Sequence, residues 1–97
     1  MDEEDLLERR VYLNKLYDLY SPLLTEKQRE AYEYHEFSDL SVSEMAERLE
    51  PSRQAAFDLL SRARSRLSEL EGLLGICSRI EELEKRIQRL EERCWDK

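Results

Sequence analysis

The chain has 97 residues, which is the size of one domain and too small to enclose a deep substrate pocket. Charged residues make up 40% of it, with only two glycines and two prolines, and such a composition is typical of a helical protein. The formal net charge of -7 opposes nucleic-acid binding by the chain as a whole and suits a basic protein partner.

The sequence predicts neither export nor membrane insertion. The first ten residues, MDEEDLLERR, are acidic and lack the apolar run of a signal peptide. No stretch approaches the roughly 20 apolar residues of a membrane-spanning helix. The two cysteines, Cys77 and Cys94, form no CxxC pair, so we expect a cytoplasmic protein with both thiols reduced.

Two amphipathic helices open the chain. Apolar and tyrosine residues at helical spacing predict the first helix over about residues 4–20, and Ser21-Pro22 ends it because proline disfavours helix in the residue before it. Thr25 and Gln28 have the spacing of a capping box, which predicts that the second helix begins after Thr25. We expect Ser38-Asp39 to end this second helix.

The next two helices have the pattern of a helix-turn-helix, which we place at about residues 41–67. Ser41 and Glu44 form a second capping box before a short helix over 42–49, and Glu50-Pro51 supplies the turn. Ser52 is a good N-cap for a longer helix, which we expect to weaken at Gly72 and Gly75. Four residues of this helix repeat at spacings of four, three and four and share its inward face: Ala56, Leu60, Ala63 and Leu67.

The last helix, over about residues 76–94, carries a heptad pattern with Ile at position a and Leu at position d. This pattern favours a parallel two-stranded coiled coil and predicts a homodimer. The predicted dimerisation residues are Ile80, Leu83, Ile87, Leu90 and Cys94. In a parallel pair Arg79 and Arg86 face Glu84 and Glu91 of the second copy. The facing charges are then opposite in sign, which also favours the parallel arrangement.

Fewer than three heptads are marginal alone, and two alternatives to this coil stay open. In the first alternative the helix would fold back on its own domain. In the second the tyrosine-rich faces of the domain would carry most of the dimer interface. We divide the chain into a helix-turn-helix domain, residues 1–75, and a coiled-coil helix, residues 76–97. No segment alternates with period two, so we predict no strand.

The segment LSVSEMAERLEPSRQAAFDLLSRARSRL resembles region 4 of bacterial sigma factors. The matching positions are Leu40, Ser41, Glu44, Met45, Ala46, Leu49, Ser52, Arg62, Ala63 and Leu67. The resemblance implies a sigma region 4-like helix-turn-helix bundle.

Residues 12–76 are similar to the YlxM family of small bacterial helix-turn-helix proteins. The residues that carry this likeness are LTEKQR at 24–29, DLS at 39–41, SE at 43–44 and SRQA at 52–55. Members of that family are encoded beside signal recognition particle genes. The resemblance therefore implies a regulatory or accessory role in that pathway, with a protein or RNA component of the particle as the partner.

The fourth helix is also a candidate for reading DNA. Residues 52–67 hold four arginines against a single acidic residue, Asp58. At 100° per residue the outward row is Gln54, Asp58, Ser61 and Ser65. Glutamine can pair with adenine, and arginines beside the row can reach phosphates, whereas Asp58 repels them. The candidate nucleic-acid-binding residues are Ser52, Arg53, Gln54, Ser61, Arg62 and Arg64. The alternative is that this helix is the core of a bundle that binds a protein partner.

Catalytic and metal-binding patterns are not visible in the sequence. His35 is the only histidine, and beside Tyr32 and Tyr34 it is better interpreted as a structural residue on a half-buried face. His35, Cys77 and Cys94 are too scattered to indicate a metal site, and no cofactor is expected. We interpret Cys94 as a small apolar core residue, although a parallel dimer would bring two copies of it together.

The sequence therefore predicts an all-α helix-turn-helix bundle with a C-terminal coiled-coil helix, which is not an enzyme. Its predicted function is regulatory or accessory, in the signal recognition particle pathway. A DNA-binding transcription regulator that reads DNA with residues 52–67 is the alternative.

Overall fold

The computed structural model of this protein describes residues 3–49 and 52–95. Over these residues the fold is all-α and contains no strand, as the periodicity predicts. The helices are α1 (Glu3–Tyr20), α2 (Glu26–Glu36), α3 (Val42–Leu49), α4 (Arg53–Leu74) and α5 (Ile76–Trp95), and a short 3-10 turn, Ser21–Leu23, follows α1. No helix in the described ranges is long and apolar enough to cross a bilayer.

Three helix starts are fixed by the caps that the sequence predicts. The hydroxyl of Thr25 accepts from the backbone N–H of Gln28 at 3.2 Å, and the Gln28 side chain accepts from the Thr25 N–H at 3.1 Å. Ser41 and Glu44 exchange the same pair of bonds, each 3.2 Å long. Ser52 accepts from the N–H three residues later at 3.2 Å. These caps satisfy backbone donors that a helix start leaves free and so position α2, α3 and α4.

The core lies along the inward face of α4, which packs against α1, α2 and α3. The four inward residues predicted for this helix are buried, between 0% and 2% exposed, and the prediction is confirmed. Leu16, Tyr32 and Met45 reach this face from the three packed helices and are completely buried. The predicted turn at Glu50-Pro51 lies outside the described residues.

The expectation that the fourth helix weakens at Gly72 is wrong. The helix runs through Gly72 because Leu70 and Glu71 are buried just before it. It ends at Gly75, whose φ of 62° is left-handed and suits glycine.

A buried carboxylate joins the end of α4 to the start of α5. Glu71 accepts hydrogen bonds from the Tyr20 hydroxyl at 2.6 Å and from the backbone N–H groups of Cys77 and Ser78, each at 3.0 Å. The Tyr20 oxygen in turn accepts from the N–H of Ile76 at 3.2 Å. The first backbone donors of α5 are therefore satisfied by α4 and α1, and the direction of α5 is fixed where it begins.

Beyond this junction α5 leaves the bundle. Lys15 of α1 pairs with Glu81 at 3.5 Å, and every described residue of α5 after Glu81 is exposed. The described part of the chain accordingly measures 61 × 28 × 22 Å. In this structure α5 does not fold back along its own domain.

Candidate functional site: the outer face of the helix-turn-helix

The first turns of α4 form the exposed edge of the helix-turn-helix. Arg53, Gln54 and Asp58 are exposed, whereas Ser61 is half-buried. The Gln54 amide donates to the Asp58 carboxylate at 3.2 Å, so these two side chains partly satisfy each other. Ser52 has a structural role as the N-cap of α4. The face is polar but does not concentrate positive charge.

This face also carries an aromatic ring that is not among the candidate residues predicted from the sequence. Phe57 is 50% exposed and, with Val42, Arg53 and Gln54, lines a shallow cleft between the start of α3 and the start of α4. We name these four residues the recognition patch. The exposure of Phe57 could have been predicted from the sequence. Phe57 directly follows the inward residue Ala56 and therefore lies about 100° away from the inward face of the helix.

The arginines of α4 do not act as one group. Arg64 pairs with Glu36 at 3.1 Å, and Arg10 of α1 pairs with the other carboxylate oxygen of Glu36 at 3.2 Å. The Glu36 side chain is only 5% exposed, so this cluster ties α1, α2 and α4 together. Arg66 pairs with Glu69 at 3.1 Å on the helix surface.

Two arginines of the predicted set stay open to a partner. Within the described residues Arg53 and Arg62 have no ion pair, and both are exposed. Arg62 and Arg64 are two positions apart, which places them about 160° apart around the helix. The exposed acids Glu44 and Glu47 of α3 lie on the neighbouring helix. The surface therefore combines an aromatic ring with charges of both signs.

His35 is a structural residue in this fold. Its Nδ1 lies 3.0 Å from the carbonyl oxygen of Leu40, and the ring is half-buried. This bond closes the loop between α2 and α3, in which Asp39 adopts a left-handed φ of 55°. Aspartate tolerates that conformation better than most residues. The histidine thereby helps to set the angle between α2 and the helix-turn-helix.

The two cysteines have opposite environments. Cys77 is buried, and burial, together with the nearby carboxylates of Glu81 and Glu71, raises the pKa of its thiol. Cys94 is exposed, so its interpretation as a core residue is wrong for the single chain, because nothing in the described part of the chain covers α5 after Glu81. In the described ranges no three potential metal ligands come together.

A larger cleft than that of the recognition patch lies elsewhere, between α1 and α4, and has a volume of about 800 Å³. Leu6 and Leu13 contribute its apolar lining, and the ion-paired residues Arg10, Glu36 and Arg64 also line it. The recognition patch does not contribute to this cleft. The predicted dimerisation residues are on α5 and are all exposed: Ile80, Leu83, Ile87, Leu90 and Cys94.

Comparison with known proteins identifies one family. The family described as "Putative helix-turn-helix protein, YlxM / p13 like" matches residues 7–97. A UPF0122 protein from Caldanaerobacter subterraneus subsp. tengcongensis is 39% identical over 90 residues, which are 93% of this chain and 74% of that protein. UPF0122 proteins from Geobacillus kaustophilus and Halalkalibacterium halodurans are 38% and 36% identical over 87 residues, covering 90% of this chain and 79% and 80% of theirs. No solved structure matches the chain significantly.

Proposed function

The chain belongs to the UPF0122 family of YlxM/p13-like helix-turn-helix proteins, and from this premise we propose that it is a non-enzymatic accessory protein of the bacterial signal recognition particle pathway. In this proposal the recognition patch binds a basic protein component of the particle. The likeness of residues 12–76 to YlxM proteins is the reason for proposing this pathway. The observation that carries the mode of binding is the half-exposed ring of Phe57 on α4.

An exposed aromatic ring is the kind of side chain that dominates protein interfaces. Aromatic side chains are enriched among the few residues that supply most of the binding energy, usually with polar residues around them. Around Phe57 these are Arg53 and Gln54. Burial of this ring against a protein surface contributes more favourable free energy than its contact with a charged phosphate backbone, because the ring is apolar.

Charge supports the same kind of partner. The chain carries a net charge of -7, and Asp58, Glu44 and Glu47 are exposed on α3 and α4. The chain as a whole is therefore repelled by phosphates and attracted to a basic protein surface, and the exposed acids beside the recognition patch give such a partner groups to pair with. A component that is basic because it binds RNA matches this requirement.

A binding titration tests the proposal. The full chain is titrated against the GTPase of the particle, with and without the particle RNA. We expect binding to the protein alone, and about a tenfold loss of affinity in Phe57→Ala, which corresponds to about 1.4 kcal/mol. The matched control is Leu73→Ala, which removes a 72% exposed residue at the other end of α4 and leaves affinity unchanged. Absence of binding at tens of micromolar, or full binding by Phe57→Ala, contradicts the proposal.

A DNA-binding transcription regulator is the second candidate. It is supported by the family description and by Arg53 and Arg62, which are exposed and free of ion pairs within the described residues. A helix-turn-helix of this kind would insert the start of α4 into the major groove, with Gln54 toward a base edge and the arginines toward phosphates.

Salt dependence separates this candidate from the first. Each phosphate contact contributes about 0.9 to the slope of log affinity against log salt. If DNA is bound, changing both Arg53 and Arg62 to Gln therefore removes two phosphate contacts and makes the salt dependence shallower, by about two units of slope. Changing Arg79 and Arg89 of α5 to Gln leaves it unchanged. Affinity that does not respond to salt removes α4 from the nucleic-acid interpretation.

A further inference from the structure

The C-terminal helix presents an apolar stripe to solvent along its whole length. We name Ile76, Ile80, Leu83, Ile87, Leu90 and Cys94 the α5 stripe. Its aliphatic side chains are between 36% and 60% exposed, and exposure rises from Ile80 to Leu90 as the helix leaves the domain. A single helix of this length in water is marginal, and a continuous exposed apolar face marks an interaction site.

The stripe is distinct from the surface that α5 uses against its own domain. The face toward α1 consists of the buried Cys77 and of Glu81, which pairs with Lys15. At 100° per residue this face is centred about 120° away from the stripe. The contacts within the chain therefore hold α5 in place and leave the stripe uncovered.

The charged residues beside the stripe favour a second copy of the same helix, in parallel orientation, as its partner. With Ile80 at position a, Arg79 and Arg86 occupy g, while Glu84 and Glu91 occupy e. In a parallel, in-register pair of these helices each g arginine faces an e glutamate of the other copy. An antiparallel pair would set arginine against arginine and glutamate against glutamate.

We propose that a second copy of this chain covers the α5 stripe as a parallel, in-register two-stranded coiled coil. Ile at a and Leu at d favour two parallel strands. The Tyr20–Glu71 junction fixes the start of α5 on the domain, so the coil holds the two helix-turn-helix units at one end, related by a two-fold axis. The dimer does not depend on which partner the recognition patch binds.

Cys94 provides a test of the direction of the pair. In a parallel coil the two Cys94 thiols face each other, whereas in an antiparallel coil they lie about 27 Å apart, the rise of 18 helical residues. Mild oxidation with diamide should therefore join two full-length chains. Cys94→Ser should abolish the cross-link and Cys77→Ser should not, because Cys77 is buried.

Sedimentation equilibrium on the full chain tests the stripe itself. We expect a dimer with a dissociation constant in the micromolar range, weakened about tenfold or more by Ile87→Lys. Ile87 is 54% exposed in the single chain, so this change spares the domain, which circular dichroism confirms. Gln88→Lys is the matched control, since it adds the same side chain next to the stripe and leaves the dimer intact.

Charge exchange supplies a further check. A chain with Arg79→Glu and Arg86→Glu should pair with a chain carrying Glu84→Arg and Glu91→Arg in preference to itself. A chain that is monomeric at about 100 µM overturns the proposal. So does a dimer that resists Ile87→Lys or fails to cross-link through Cys94, because the interface then lies elsewhere, such as the exposed Leu6 and Leu7 of α1.

Discussion

Glu71 serves α5 in place of an N-cap residue. Gly75 precedes α5 and offers no side chain, so the first backbone donors of the helix take their acceptors from the carboxylate four residues earlier. The Tyr20 hydroxyl and the Ser78 hydroxyl donate to the same carboxylate. A buried carboxylate with this many donors is stable in its ionised form, and removing it leaves those donors without an acceptor.

We therefore expect Glu71→Ala to lower the free energy of unfolding by about 3 kcal/mol. Glu71→Gln keeps one acceptor oxygen and should cost less, about 1–2 kcal/mol. Urea denaturation followed by circular dichroism measures both. The control is Glu69→Gln, on the same helix turn but 59% exposed, which should change stability by under about 0.5 kcal/mol. Equal stability of the three variants would show that the junction contributes nothing.

The same carboxylate predicts a dependence on pH. Burial alone would raise the pKa of Glu71, but the hydrogen bonds from Tyr20, Cys77 and Ser78 outweigh it and hold the pKa below the ordinary value of 4.5. Because the folded-state pKa is the lower one, its stabilisation is complete above pH 4.5 and is lost as the pH falls through the folded value. The stability difference between the wild type and Glu71→Gln should therefore shrink below pH 4.5. A constant difference down to acid unfolding contradicts this.

At the scale of the elements, local chemistry made the helices predictable. The caps at Thr25, Ser41 and Ser52 and the spacing of the inward residues depend on a few neighbours in the chain, so the sequence is sufficient to place α2, α3 and the start of α4. The roles of Arg64 and Glu71 depend on partners 28 and 51 residues away, Glu36 and Tyr20. One sequence contains no signal for such pairings.

The division of the α4 arginines leads to a prediction about stability. Arg64 is 37% exposed and pairs with the nearly buried Glu36, so Arg64→Ala should lower the free energy of unfolding by about 1 kcal/mol. Arg62→Ala should leave stability unchanged within about 0.5 kcal/mol. Thermal unfolding of both variants measures the difference. In a double-mutant cycle with Glu36→Gln, a coupling near zero would mean that the Arg64–Glu36 pair does not stabilise the fold.

At the scale of the whole molecule, two parts of the chain differ in what holds them. The bundle of α1 to α4 buries its own core, centred on Leu60, Ala63 and Leu67. By contrast, α5 is attached at its start through Glu71 and Glu81 and exposes its remaining residues. The order of α5 should therefore depend on the second copy, while the order of the bundle should not.

Hydrogen exchange at different protein concentrations tests this difference. Binding that involves only the folded state stabilises it in proportion to the logarithm of partner concentration. The backbone amides of residues 84–94 should therefore exchange more slowly as concentration rises through the dissociation constant, whereas those of residues 56–70 should not change. In Ile87→Lys the amides of 84–94 should exchange fast at every concentration, and in Gln88→Lys they should behave as in the wild type. Protection of α5 that is the same at all concentrations would mean that this helix is ordered by its own chain alone.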